Sequence, residues 1–138
     1  MKTRITQFVS VLLVVVLGFA AYVRFAPSDP ARWNISPNAF GPPDQIFAIA
    51  GSASLWAPHA RLDQLDAIVM ATPRTTRLAG SVTDGRITWI TRSAFWGFPD
   101  YTTAEDMGKG LFILSRLRFG KFDMGVNAAR LRDWQSKL

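Results

Sequence analysis

The chain has 138 residues, about the length of one domain, and it contains no cysteine, which excludes disulfides, thiolate metal sites and a cysteine nucleophile. Its formal net charge is +6, but Lys2, Arg4 and Arg24 belong to the apolar N-terminus, and the rest holds 13 of the 16 basic residues and all 10 acidic ones. Those basic residues form no block and no stripe with interleaved aromatic residues, so nucleic-acid binding is not expected.

The N-terminus is predicted to be one membrane-spanning helix. Between residues 5 and 25 the only charged residue is Arg24, and this run would be about 31 Å long as a helix at about 1.5 Å per residue. That length matches the hydrocarbon core of a bilayer, so residues 1–25 are predicted to be a transmembrane anchor that contacts lipid through residues 5–25. Tyr22 and Phe25 suit the far interface and are candidate membrane contacts.

The charges around this helix predict its orientation. Lys2 and Arg4 precede the apolar run, which favours a cytoplasmic N-terminus and a domain on the other side of the membrane. A cleaved signal peptide is the alternative, since residues 18–20 (Gly-Phe-Ala) form a small-x-small site, but Tyr22 and Arg24 follow at once and the run is long for such a peptide. The uncleaved anchor is favoured, as a single-pass protein of a bacterial inner membrane with its domain in the periplasm.

Residues 26–58 are predicted to be a proline-rich arm or linker. Five prolines fall in its first 18 residues, which favours extended or wrapped chain over regular structure. Its apolar residues Trp33, Ile35 and Phe40 predict that the arm packs on the domain. The small and apolar residues 46–58 are expected to be irregular or to form short extended structure.

Residues 59–138 are predicted to form the folded domain. Leu62, Leu65 and Val69 recur at helical spacing, and residues 83–85 (Thr-Asp-Gly) are typical of a hairpin turn. The predicted elements are a helix at 60–71, strands at 74–82, 86–95, 100–104 and 111–119, and a final helix from Val126 or Asn127. Strands joined by short turns form antiparallel sheets, so the fold is predicted to be α+β: a transmembrane helix, then an antiparallel sheet of about four strands with two flanking helices.

Two carboxylates lie in predicted turns beside strands that are rich in arginine. In one interpretation, Asp100 and Asp123 form an acid–base pair or clamp a ligand. In the other, each accepts hydrogen bonds from a turn backbone or pairs with Arg92, Arg116 or Arg130 and so fixes the loop geometry. The second interpretation is favoured, because turn carboxylates usually have such partners.

The remaining polar and aromatic residues indicate structure and contact rather than catalysis. His59 stands alone without a metal-ligand spacing, so neither a catalytic residue nor a metal or cofactor site is predicted. Asn127 is expected to cap the last helix or to tolerate a left-handed turn, and Gly125 to supply a positive φ. Trp96 and Phe98 flank a glycine in a predicted loop and are candidate contacts for a partner or the membrane interface.

Two blocks of this chain resemble the uncharacterised bacterial and plastid family called domain of unknown function 1499. The C-terminal block of that family is similar to S-R-x-G-x-S-D-x-G-V-N-R-x-R, and residues 115–131 here read SRLRFGKFDMGVNAARL. Its earlier block resembles S-R-x-x-G-F-x-D-D, and residues 91–101 here read TRSAFWGFPDY. The resemblance covers roughly residues 60–134, and it implies no activity, substrate or cofactor.

The chain departs from those patterns at three polar positions. Phe122 replaces the usual serine, Ala128 the usual arginine, and Tyr101 the second aspartate. A polar site that needed all these groups would be incomplete here, which favours a structural or binding role over catalysis.

Three functional hypotheses follow. The leading one is a non-enzymatic interaction domain outside the cytoplasm, an accessory or scaffold subunit whose partners are other membrane protein subunits. The second is a binder of lipid or of a small apolar ligand in the envelope. The third is an enzyme that uses Asp100 and Asp123 with the arginines around them.

Overall fold

The computed structural model describes residues 2–37 and 41–138, and the predicted packing of Phe40 lies outside them. An N-terminal helix precedes a mixed helix and strand domain, so the predicted α+β class is confirmed. The elements in chain order are α1 (Lys2–Phe25), α2 (Pro30–Trp33), β1 (Ile46–Ile49), β2 (Ser52–Pro58), α3 (Leu62–Met70), β3 (Thr75–Ser81), β4 (Arg86–Arg92), β5 (Pro99–Asp106), β6 (Gly110–Leu117) and α4 (Val126–Gln135).

The strands form one antiparallel sheet in the order β1-β2-β6-β5-β4-β3. It has six strands, so the predicted number of about four is wrong, because β1 and β2 arise within the segment 26–58 that the sequence predicts as an arm. Ala53, Ser54 and Leu55 are all buried, and β2 therefore lacks the alternation that marks a half-exposed strand. Its small residues allow α4 to pack closely on it.

The first face of the sheet holds the main core. Helices α3 and α4 lie on it and bury their apolar residues against β2, β4, β5 and β6. Two tryptophans in this core also satisfy their polar atoms: Trp89 Nε1 donates to Asp66 at 2.9 Å and Trp134 Nε1 donates to Thr72 at 2.8 Å. Helices α3 and α4 therefore cover the core on this face of the sheet.

The second face is partly covered by the arm. Trp33 stacks on Tyr101 with ring centroids 3.8 Å apart and ring planes 6° apart. The Arg116 guanidinium lies 5.1 Å from the Trp33 ring centroid on the same face. The Trp33 carbonyl accepts hydrogen bonds from Arg116 Nη2 at 2.6 Å and from Thr103 Oγ1 at 3.2 Å. The arm is therefore fixed to β5 and β6 by both its ring and its backbone.

Helix α1 joins the sheet at one end. One helix in the described part of the chain, Thr3–Phe25, is long and apolar enough to cross a membrane by length and composition, with a mean hydropathy of 2.3. Its last residues contact the domain: Val23 is fully buried, and the Tyr22 ring lies 5.9 Å from that of Phe119. The turn at 50–51 and the segments 93–98 and 118–125 lie at this end, and we call them the anchor-side loops.

Candidate functional site

An ion pair joins β5 to α4 near the anchor-side loops. Arg130 Nη2 lies 3.0 Å from Asp100 Oδ2, and the two side chains are only 11% and 15% exposed. Burial raises the pKa of Asp100 above its ordinary value, Arg130 opposes that rise, and the negative charge of Asp123 adds to it. The two aspartates therefore share one electrostatic environment.

A chain of hydrogen bonds continues from Arg130 into the sheet. Arg130 Nη1 donates to Asn127 Oδ1 at 2.7 Å, and Ser115 Oγ donates to the same oxygen at 2.6 Å. Ser115 has one proton and has given it to Asn127, so Thr102 Oγ1, at 2.8 Å, must donate to Ser115. Arginine is only a donor, which fixes the Asn127 amide with Oδ1 toward it, and the buried Nδ2 has no hydrogen-bond partner in the described part of the chain.

Asp123 holds the start of α4. Its Oδ1 accepts from the Gly125 N–H at 3.0 Å and its Oδ2 from the Asn127 N–H at 2.9 Å. Gly125 is the N-cap residue with φ 78°, a conformation that costs glycine little. Asn127 lies inside the helix and is fully buried, so it is not the cap that the sequence suggests. Burial raises the pKa of Asp123, but the N–H groups of Asn127 and Gly125 outweigh it and lower the pKa overall.

Replacement of Asp123 by alanine should cost about 1 kcal/mol of stability, because two N–H groups of the helix start lose their acceptor. The cost should be present at neutral pH. A carboxyl with a lowered pKa in the folded chain stabilises the fold above its unfolded pKa and loses that effect as pH falls through the folded value. Urea unfolding at neutral and acidic pH measures both points, and an equal loss at every pH would contradict them.

The three arginines of the sequence motif have three separate contacts. Arg130 alone among them pairs with a carboxylate in the described chain. Arg92 Nη1 donates to the Gly97 carbonyl at 2.9 Å and so ties the 93–98 loop to β4. Arg116 lies on the opposite face of the sheet against Trp33, and burial lowers its pKa. The three arginines therefore hold α4, the 93–98 loop and the arm, respectively, against the sheet.

The aromatic contact candidates surround the end of α1. The Phe98 ring lies 6.2 Å from both Phe19 and Phe119, so Phe98 packs between α1 and the domain. Trp96 is 43% exposed and lies with Phe98 in a cleft against α1. Phe25 is 78% exposed, so this aromatic group offers rings to its surroundings as well as to the domain.

A pocket of about 330 Å³ opens between the anchor-side loops, and we call it the anchor-side pocket. Asp100, Asp123 and Ser93 are its polar lining. Its other walls are apolar: Phe98, Leu117, Phe119, Phe122, Met124 and Val126. The pocket therefore combines an apolar wall with two interacting carboxylates.

Among residues 2–37 and 41–138, no three His, Cys, Asp or Glu side chains come together as a metal site. His59 lies just after β2, at the end of the strand away from the anchor-side loops. Thr102 and Ser93 were not singled out in the sequence; the alternation of β5 places Thr102 on the face of Asp100 and could have identified it.

The comparisons with known proteins give a family and nothing closer. A family model described as protein of unknown function (DUF1499) matches residues 26–138, which include the arm as well as the two motif blocks. No curated protein and no solved structure matches the chain. The match spans most of the chain and all of the sheet, and the chain therefore belongs to the domain of unknown function 1499 family.

Proposed function

We propose that this chain is a membrane-anchored interaction domain outside the cytoplasm, a non-enzymatic accessory subunit of a membrane protein complex. One observation carries the proposal: an apolar strip on the second face beside the edge strand β1. Phe47 and Ile49 are 45% and 53% exposed there. Trp56 and Phe112 continue the strip with ring centroids 5.8 Å apart. We call these four residues the β1 strip.

The two edges of the sheet differ in a way that favours docking at β1. The edge strand β3 has a bulge between Arg77 and Ala79, and it carries the charged side chain of Arg77, which pairs with Asp66. A bulge and a charged side chain on an edge strand both hinder pairing with another strand. Strand β1 (Ile-Phe-Ala-Ile) has neither a charge nor a proline. An apolar edge strand without a charge or a proline, although short at four residues, is suited to β-strand addition by a partner.

The partner is inferred to be another membrane protein because α1 ties the strip to the bilayer. Phe98 packs on Phe19, about 9 Å of helix before Phe25 at about 1.5 Å per residue. An irregular loop does not lie in hydrocarbon, so we place the membrane boundary near Phe19, with the 93–98 loop at the interface. The lipid contact expected for residues 5–25 then ends near Phe19, and Tyr22 and Phe25 lie on the domain side of that boundary. The domain is then held close to the bilayer, within reach of the extramembrane part of a neighbour.

The orientation can be measured directly because the chain contains no cysteine. Lys2 and Arg4 favour a cytoplasmic N-terminus and a periplasmic domain. A Thr83→Cys variant, in the exposed β3–β4 turn, should react with a membrane-impermeant maleimide in intact spheroplasts. A Thr3→Cys variant should react only after lysis. The reverse pattern would contradict the orientation.

Docking at the β1 strip should be sensitive to a single charge. An Ile49→Asp variant should reduce the partner recovered in a mild-detergent pull-down by about tenfold, since a buried interface carboxylate without a partner costs more than 1.4 kcal/mol. The matched control is Val82→Asp, at a residue 45% exposed in the β3–β4 turn. Equal recovery from both variants, or a wild-type chain that purifies alone at native abundance, would contradict the proposal.

A further inference from the structure

We propose that the anchor-side pocket binds one phospholipid whose head group carries a primary ammonium. The ammonium lies on Asp100 and Asp123, and an acyl chain follows the cleft between α1 and the 93–98 loop. This site goes beyond the accessory-subunit function. It does not use the β1 strip, so either proposal can fail alone.

The carboxylates of Asp100 and Asp123, which we call the pocket floor, favour a cationic group over an anionic one. Both residues line the pocket, and the ion pair with Arg130 offsets only one of these carboxylates. The N–H groups bound to Asp123 leave its charge unneutralised, so a donor-bearing cation complements the floor. A phosphate group on the floor would be repelled.

Asn127 does not line the pocket, but it supports the floor from behind Asp123. It is fully buried, and its backbone N–H donates to Asp123 Oδ2 at 2.9 Å. Its side chain also helps to lower the pKa of Asp123. Asp123 is therefore held in its charged form where the ammonium would bind.

The pocket walls lead from this floor toward the anchor. Phe98 lines the anchor-side pocket, and it also lines a cleft of about 400 Å³ against Val15, Val16 and Phe19 of α1, with Trp96 on the other side. The two spaces therefore meet at one ring. An acyl chain could run from the pocket past Phe98 along the apolar side of α1, in the direction of the hydrocarbon.

One basic residue next to the pocket wall suits the phosphate of such a lipid. The Arg118 guanidinium lies 5.1 Å from the centroid of the Phe119 ring, which lines the pocket. Arg118 Nη1 donates to the Pro27 carbonyl and to the Tyr101 hydroxyl, both at 3.0 Å, and Arg118 is in no ion pair within the described part of the chain. A zwitterionic aminophospholipid would match the acidic floor and this cation together.

Native mass spectrometry of the full chain in detergent, with phospholipids of identical acyl chains added singly, tests the site. Phosphatidylethanolamine should give one bound lipid per chain. Phosphatidylcholine, which keeps the positive charge but has no N–H donor, should bind about tenfold less, as should phosphatidylglycerol, which lacks the cation. Equal binding of the three lipids would overturn the proposal and leave only a general contact with the bilayer.

Three variants locate the lipid. Asp123→Asn keeps an acceptor for the helix start but removes the charge, and Phe122→Ser shortens a wall residue that is 75% exposed; each should lower phosphatidylethanolamine binding about tenfold. Phe95→Ser is the matched control, at a residue 80% exposed on the 93–98 loop outside the pocket lining, and should bind as the wild type does. Unchanged binding in Phe122→Ser, or equal loss in Phe95→Ser, would overturn the assignment.

Discussion

Replacement of Trp33 by alanine should lower the free energy of unfolding by about 3–5 kcal/mol and release the arm from the second face. Trp33 is 8% exposed, stacks on Tyr101 and lies under the Arg116 guanidinium. Its loss would expose the Tyr101 ring and leave Arg116 without its aromatic contact. Urea unfolding of the full chain in mild detergent, followed by far-ultraviolet circular dichroism, measures the change.

A matched variant separates the ring contact from the backbone contacts of the arm. Trp33→Phe keeps an aromatic ring on Tyr101, and the main-chain carbonyl that binds Arg116 and Thr103 is unchanged. We expect it to lose less than half as much as Trp33→Ala, and to keep the arm resistant to limited proteolysis. Equal loss in the two variants, or loss below about 1 kcal/mol in Trp33→Ala, would contradict a structural role for the stack.

Replacement of Arg130 by methionine should cost about 2–4 kcal/mol at neutral pH. The variant removes the partner of Asp100 in a largely buried pair and takes donors from Asn127 and Ser115. The figure is set below that of a fully buried pair because both side chains keep some exposure to water. Denaturant unfolding in mild detergent measures the loss.

The pH dependence identifies the cause of that loss. Burial already raises the pKa of Asp100, and removal of Arg130 would raise it further. A carboxyl with a higher pKa in the folded chain than its ordinary value of about 3.9 favours folding when it is protonated. The Arg130→Met variant should therefore recover stability relative to wild type as pH falls through the folded-state pKa of Asp100. A pH-independent deficit would assign the loss to packing instead.

A double variant provides the control for the same pair. In Asp100→Asn/Arg130→Met no buried charge is left unpaired, so the double variant should be more stable at neutral pH than Arg130→Met alone. If the two losses simply added, the ion pair would not be the source of the effect. This outcome decides whether the sequence motif around Asp100 and Arg130 holds the fold.

Regular patterns made part of the fold predictable. Helical spacing of Leu62, Leu65 and Val69 indicated α3, and the Thr-Asp-Gly turn at 83–85 indicated the β3–β4 hairpin. Residues 46–58 are expected only to be irregular or to form short extended structure, because the middle of β2 is buried on both faces and made mostly of small residues, a pattern with no period. Short polar or apolar runs of this kind become strands through their neighbours rather than through their own propensity.

The sequence indicates which residues belong to the candidate site, but not which side chains contact one another. Alternation along β6 separates Ser115 from Arg116, but it does not say that α4 covers the Ser115 face and the arm covers the other. The predicted start of the last helix at Val126 or Asn127 agrees with α4, but Asn127, expected as a cap or in a left-handed turn, lies inside the helix, and Asp123 accepts the backbone N–H groups instead. Side-chain partners far apart in the chain were set by tertiary packing.

The proposed docking of the β1 strip on another membrane protein is tested most directly by photo-crosslinking in living cells. A photoreactive residue at position 49 of the full chain, expressed at native abundance, lies on the strip, and the same residue at position 82 is the control. We predict one discrete adduct with a membrane protein from position 49 and none from position 82. No protein adduct from position 49, or the same adducts from both positions, would contradict the claim.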